Sequence, residues 1–341
     1  MIIITSSYSN SLHAAHLLLM VLAVFTMSCS SSNSVLRPLE NNHIDQPPAI
    51  FVFGVSLVDP GNNNYISGTI AKNNFYPFGI DFPSGKAYTG RFTDGRTGYI
   101  PPYMDPTTVG DVVLRGVNYA SGGAGILNDS GAIFGNRFNM DAQLDNFANT
   151  RNYIISNISG GGSKKLLENA LFIIVMGSND FLHNYFTPII SIPKQKLESP
   201  GMFVDSMISK FRLQLIRLYE MDAKKNFVPN LGPLGCIPEE RALNYSLQIM
   251  MATTWYLIFS VIINPMVRFE DYKTACWKLL PDPPRGFYSH APLVCKDRSK
   301  YVFWDFAHPS DAANVILAKM MLEDPDSGYT YPMNVRQLYY S

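Results

Sequence analysis

The chain has 341 residues, 47% of them hydrophobic and 13% aromatic, enough apolar material for one large core. Its 27 basic and 27 acidic residues balance to a formal net charge of zero, with no basic run or stripe. That charge pattern excludes the electrostatic footprint of a nucleic-acid-binding protein.

The chain opens with an apolar stretch from Leu17 to Phe25, followed by the small residues Ser28, Cys29, Ser30, Ser31 and Ser32. This is the pattern of a secretory signal over residues 1–30, although only His13 and His16, and no Lys or Arg, precede the apolar part. A bilayer span needs about 20 apolar residues, so this stretch is too short to be one. Residues 31–46 are polar and unpatterned and read as a linker that stops at Pro47-Pro48, leaving residues 47–341 as a single domain. Removal of the leader takes Cys29 with it, and secretion favours a pairing of two among Cys236, Cys276 and Cys295. The triplets beginning at Asn128, Asn157 and Asn244 are glycosylation acceptors in an extracellular setting.

Ala49-Ile-Phe-Val-Phe53 is an unbroken apolar run ended by Gly54, which predicts a buried strand. Residues 60–96, rich in Gly, Asn and Pro, predict long loops. Leu171-Phe-Ile-Ile-Val-Met176 predicts a second buried strand, again ended by a glycine. Ser199-Pro200 predicts a helix start, with Phe203, Met207, Phe211, Leu215 and Leu218 on one face. From Ala242 to Val267 there is no charged residue, but scattered polar residues favour a buried helix over a membrane span. Residues 310–323 predict a last helix carrying Ala313, Ile316, Leu317, Met320 and Met321 on or near one face. Buried strands alternating with amphipathic helices predict an α/β protein with a parallel sheet covered on both sides. In such sheets the chemistry sits just beyond the carboxyl ends of the strands.

Three groups of polar residues meet that criterion or complement it. Ser56 follows the first strand, where a turn can present a nucleophile. Asn179 follows the second, where an amide can donate to a developing oxyanion. Asp305 and His308 are three residues apart, close enough for the carboxylate to hold one imidazole nitrogen while the other serves as the base that a serine requires. Each alone also fits a cap or a turn.

Taken in order, Gly54-Val-Ser-Leu57, Gly177-Ser-Asn-Asp180 and Asp305-Phe-Ala-His-Pro309 resemble the blocks of the plant GDSL-type esterase/lipase family, within the SGNH hydrolases. The resemblance extends from Ile50 to about Leu338 through Asp59, Gly61-Asn-Asn-Asn64, Gly90-Arg-Phe92, Gly116-Val-Asn-Tyr-Ala-Ser-Gly-Gly-Ala124 and Asn230-Leu-Gly-Pro-Leu-Gly-Cys236. It implies a three-layer flavodoxin-like fold with a central parallel sheet. It also implies a secreted esterase or lipase working through an acyl-enzyme, with Ser56 as nucleophile, His308 as base and Asp305 orienting it. Ser56, Gly122 and Asn179 become the oxyanion donors, with Gly116 and Gly123 as close neighbours of the second.

No metal or organic cofactor is implied, and no His-Glu-X-X-His spacing occurs. The implied substrate is a small-molecule or lipid ester; an acyltransferase, or a member of the family without activity, would carry the same fold. Three departures stand out. The family's Asp before the nucleophile is Val55, so the nucleophile loop is expected to be held less firmly; residues 97–102 look shortened; and so does the part between Cys236 and Cys276. The last accounts for the odd cysteine and leaves Cys276 and Cys295 as the pair.

Overall fold

A computed structural model describes residues 48–82, 89–92, 94, 100–186, 198–232, 234–243, 269–278, 293–323 and 330–341. Most of the uncharged stretch from Ala242, part of the shortened segment 97–102, and Asn244 lie outside the described residues. Residues Pro48–Ser341 form one compact unit by their internal contacts.

Strands β1 (Ile50–Gly54) and β2 (Leu171–Val175) run parallel and in register, Ile50 beside Leu171 and Gly54 beside Val175. Strand β3 (Lys225–Phe227) continues the parallel sheet on the far side of β2. Along the other edge of β1 the segment 117–121 supplies hydrogen bonds from Tyr119 N–H to Val52 O (2.8 Å) and from Ser121 N–H to Gly54 O (3.1 Å). The two apolar runs thus form the strands expected of them. β3 was not foreseen, because Lys-Asn-Phe has no apolar run to announce it.

Three helices accompany this sheet in sequence: α1 (Met140–Asn157), α2 (Gly160–Asn169) and α3 (Pro200–Glu220). α3 starts as the sequence predicts, with the Ser199 hydroxyl accepting from Met202 N–H and Phe203, Met207 and Leu218 buried. In α1 the buried positions are Met140, Gln143, Leu144, Phe147, Thr150 and Ile154, at helical spacing. Gln143 and Thr150 are polar, and that is why the pattern does not stand out in the sequence. Phe51, Phe53 and Phe172 of the sheet pack on Phe147 of α1, with ring centroids 5.5 to 5.7 Å away. They belong to one apolar cluster with Met140, Leu144, Ile154, Phe203, Met207 and Leu218.

The carboxyl-terminal part is built from α4 (Pro238–Leu243), β4 (Asp271–Ala275), β5 (Trp277–Lys278), β6 (Leu293–Val294), β7 (Tyr301–Phe303), α5 (Asp311–Glu323) and α6 (Val335–Tyr340). β4 pairs with β7 in parallel and β5 with β6 antiparallel. Cys276 and Cys295 are joined by a disulfide, and Cys236 is a buried thiol. Among the described residues no helix is long and apolar enough to cross a membrane.

Candidate active site

Ser56 stands on a tight turn just past β1. Val55 N–H donates to Val175 O (3.2 Å), and Val58 N–H returns to Val55 O (3.1 Å), closing the turn. Gly54 is required there: a Cβ would fall 2.3 Å from the Val58 side chain. Gln143 reaches across from α1 and grips Gly54 twice, accepting from its N–H (2.9 Å) and donating to its C=O (2.8 Å). Val55 itself is 1% exposed and belongs to the main apolar cluster.

The candidate base, His308, comes from the turn after β7. Asp305 is 1% exposed, and its Oδ1 accepts from the N–H groups of Ala307 (2.8 Å) and His308 (2.6 Å). Its Oδ2 lies 2.8 Å from Nδ1 of His308, and Nε2 of His308 lies 2.7 Å from Oγ of Ser56. Trp304 N–H donates to His308 O (2.8 Å), and the fully buried Trp304 anchors the turn. With Nδ1–H donating its hydrogen bond to the carboxylate, Nε2 is left as the acceptor facing the serine hydroxyl. Two segments 252 residues apart are thereby joined side chain to side chain.

Asn179 lies past β2, in the helical turn Ser178–Asp180, and is 5% exposed. One of its amide hydrogens goes to Ala124 O (2.8 Å); an Asn amide carries a second. Gly122 lies in the loop facing the Ser56 turn. Its N–H donates to Asp59 Oδ2 (2.9 Å), so this donor is engaged within the protein. A Cβ at Gly122 would meet the Phe92 ring at 2.4 Å, and Phe92 lies 5.4 Å from the His308 ring.

Several further buried polar residues complete the surroundings, to which sequence reasoning gave no role of their own. Asp180 accepts from Ile126 N–H (2.9 Å), Leu127 N–H (2.9 Å) and Ser130 Oγ (2.6 Å), tying the Asn179 turn to the loop after Gly122. Burial pushes its carboxyl up, against those bonds. His183, in the irregular turn Phe181–Tyr185, packs edge-on against Phe134 at 4.7 Å. Burial, with a smaller contribution from nearby His308, lowers its imidazole to about 4, which leaves it neutral at ordinary pH. Asp59 is pushed up to about 6 by burial, countered by backbone hydrogen bonds. Asp59 and the Asn run after it are visible in the sequence as a motif; Gln143 has no signal beyond being a polar residue on an apolar helix face.

Of the three triplets, Asn128 and Asn157 are exposed. Residues 50–321 match the family described as GDSL-like Lipase/Acylhydrolase. The chain is 45% identical over 339 residues to the Arabidopsis thaliana protein named GDSL esterase/lipase At4g16230, covering 85% of this chain and 90% of that relative. It is 38% identical to GDSL esterase/lipase At3g50400 of the same plant, covering 85% and 90%, and 38% identical to GDSL esterase/lipase At5g41890, covering 87% and 95%.

Proposed function

The chain belongs to the GDSL-like Lipase/Acylhydrolase family, and from that premise we propose that it hydrolyses carboxylic esters through Ser56, His308 and Asp305. It is an ester-hydrolysing serine hydrolase, in keeping with the name its relatives share. The observation that carries the reading is the unbroken hydrogen-bonded chain from Asp305 to His308 to Ser56, at 2.8 and 2.7 Å.

In this reading Ser56 Oγ attacks the ester carbonyl while its proton passes to Nε2 of His308. Asp305 keeps the imidazole in the required tautomer and stabilises the imidazolium. The proton then goes to the departing alkoxide, leaving an acyl group on Ser56. Water, deprotonated by the same imidazole, releases the acid. The oxyanion is served by Ser56 N–H and the Asn179 amide; Gly122 joins them only if its N–H turns from Asp59. An acceptor alcohol in place of water would make the same site an acyltransferase. The parallel sheet is extended in this reading to the three-layer flavodoxin-like arrangement, supported by strands that are apolar on both faces.

Secretion is part of the proposal, supported by the apolar leader and by the Cys276–Cys295 disulfide, a bond of oxidising compartments. Glycosylation at Asn128, Asn157 and Asn244 would follow from it. The test is labelling by a fluorophosphonate probe together with hydrolysis of a p-nitrophenyl ester. Wild-type protein should be labelled and active and Ser56→Ala neither; a folded wild type that takes no label would be an inactive member of the family.

A further inference from the structure

We propose that Asp59 is a positioning residue for turnover, locking the nucleophile turn and the 118–122 loop facing it into one unit. The inference rests on the reading of Ser56 as nucleophile. Asp59 is 3% exposed. Its Oδ1 accepts from Gly61 N–H and Asn62 N–H, each at 2.8 Å, and its Oδ2 accepts from Gly122 N–H at 2.9 Å. One end of that grip is three residues from Ser56; the other is the glycine on which Phe92 lies, the ring that also packs by His308.

The residues after Asp59 extend the lock. Asn62 Nδ2 donates to Asn118 O (2.9 Å) and Ala120 O (2.8 Å). Asn63 Nδ2 donates to Gly122 O (2.9 Å), and Asn63 Oδ1 accepts from Ser121 Oγ at 2.6 Å. In return Asn118 Nδ2 donates to Val58 O (2.8 Å). Gly122 is therefore held at its N–H by Asp59 and at its C=O by Asn63.

The chemistry requires a carboxylate. The backbone partners of Asp59, at Gly61, Asn62, Asn63 and Gly122, are N–H donors, and only an ionised carboxyl offers acceptors alone. An Asn would turn an NH2 toward at least one of them, the single bond to Gly122 being the one most easily broken. Val55 places an apolar side chain where the family's pattern has Asp, so the turn depends on Asp59 and Gln143 for its polar support. A misplacement on the order of 1 Å costs about 10² in rate without touching the groups that bind the remote parts of a substrate.

The experiment compares wild type with Asp59→Asn and Asn63→Asp, using fluorophosphonate-titrated enzyme and one short-chain p-nitrophenyl ester, with the melting temperature measured alongside. Asn63→Asp keeps the shape but turns a carboxylate oxygen toward Gly122 O. Each folded variant should lose about 10- to 100-fold in kcat with KM within twofold of wild type. A folded Asp59→Asn with unchanged kcat, or with kcat and KM altered together, overturns the proposal. If Asp59→Asn does not fold, Asn63→Asp decides alone by the same criterion. An unlabelled wild type would instead sink the Ser56 reading, so the two failures are distinct.

Discussion

At Ser56 the short bond to His308 Nε2 makes a sharp demand on mutation. Ser56→Ala removes the oxygen proposed to attack and leaves a half-buried methyl group on the same turn. Ester turnover should fall by orders of magnitude, about 10⁶ in a comparable serine enzyme, with the melting temperature almost unchanged. Hydrolysis of a p-nitrophenyl ester near the wild-type rate would remove Ser56 from the reaction. Asn179→Ala should reduce kcat by about 10²–10³ with little change in KM, since an oxyanion donor acts in the transition state. The bond from its amide to Ala124 O makes the folded state worth checking by circular dichroism in the same samples. These residues were legible in the sequence because each follows a strand or forms a short Asp-X-X-His spacing. Gly122 was legible as a candidate oxyanion donor; what the sequence did not show is that Phe92 lies on it and that its N–H bonds Asp59. No sequence pattern reports which of two acceptors a backbone N–H will choose.

The elements divide by the kind of signal they carry. β1, β2, α3 and α5 announce themselves through apolar runs or a capped, periodic face. α1 does not, and Gln143 is the reason it matters. This side chain is fully buried, and it bonds both backbone groups of Gly54 at the point where β1 gives way to the Ser56 turn. Its third bond, to Phe138 O at 2.7 Å, fixes the amide against the entry to its own helix. A polar residue on an apolar helix face reads from sequence as a break in the pattern, whereas here it is the join between helix and strand. Replacing it by Leu, of similar size, leaves the N–H of Gly54 buried without a partner, at about 1–3 kcal/mol, while its C=O keeps only the Ser121 N–H. Gln143→Leu should therefore lower the urea midpoint by the equivalent of roughly 1–3 kcal/mol. A midpoint within error of wild type would mean that Gly54 finds other partners and that the grip is incidental.

Across the whole molecule, buried ionisable groups join parts of the chain that the sequence sets far apart. Asp94 is 2% exposed and lies between the early loops and the carboxyl-terminal part. It accepts from Asp311 N–H (2.8 Å) at the start of α5 and lies 3.3 Å from Arg298 Nε, while Arg298 also bonds Asp81. Burial pushes its carboxyl up from 3.8 to about 6, against the Asp311 bond and Arg298, with the Asp311 charge adding to the rise. The folded state thus holds this proton more tightly than the unfolded chain. The stability it contributes is complete below pH 3.8 and is lost as pH rises through about 6. His183 works in the opposite sense. Its imidazole is lowered from 6.5 to about 4, so its contribution is complete above pH 6.5 and is lost as pH falls through about 4. Each effect amounts to about 1.4 kcal/mol per pH unit within its window. Urea unfolding of wild type, Asp94→Asn and His183→Asn at pH 4, 5, 6 and 7 separates them. Relative to Asp94→Asn, wild type should lose stability from pH 4 to 6 and change little from 6 to 7. Relative to His183→Asn, it should gain stability over the same rise from pH 4 to 6. Parallel curves for Asp94→Asn and wild type would mean that Arg298 neutralises the carboxylate fully, and that the tie between the two ends of the chain carries no proton with it.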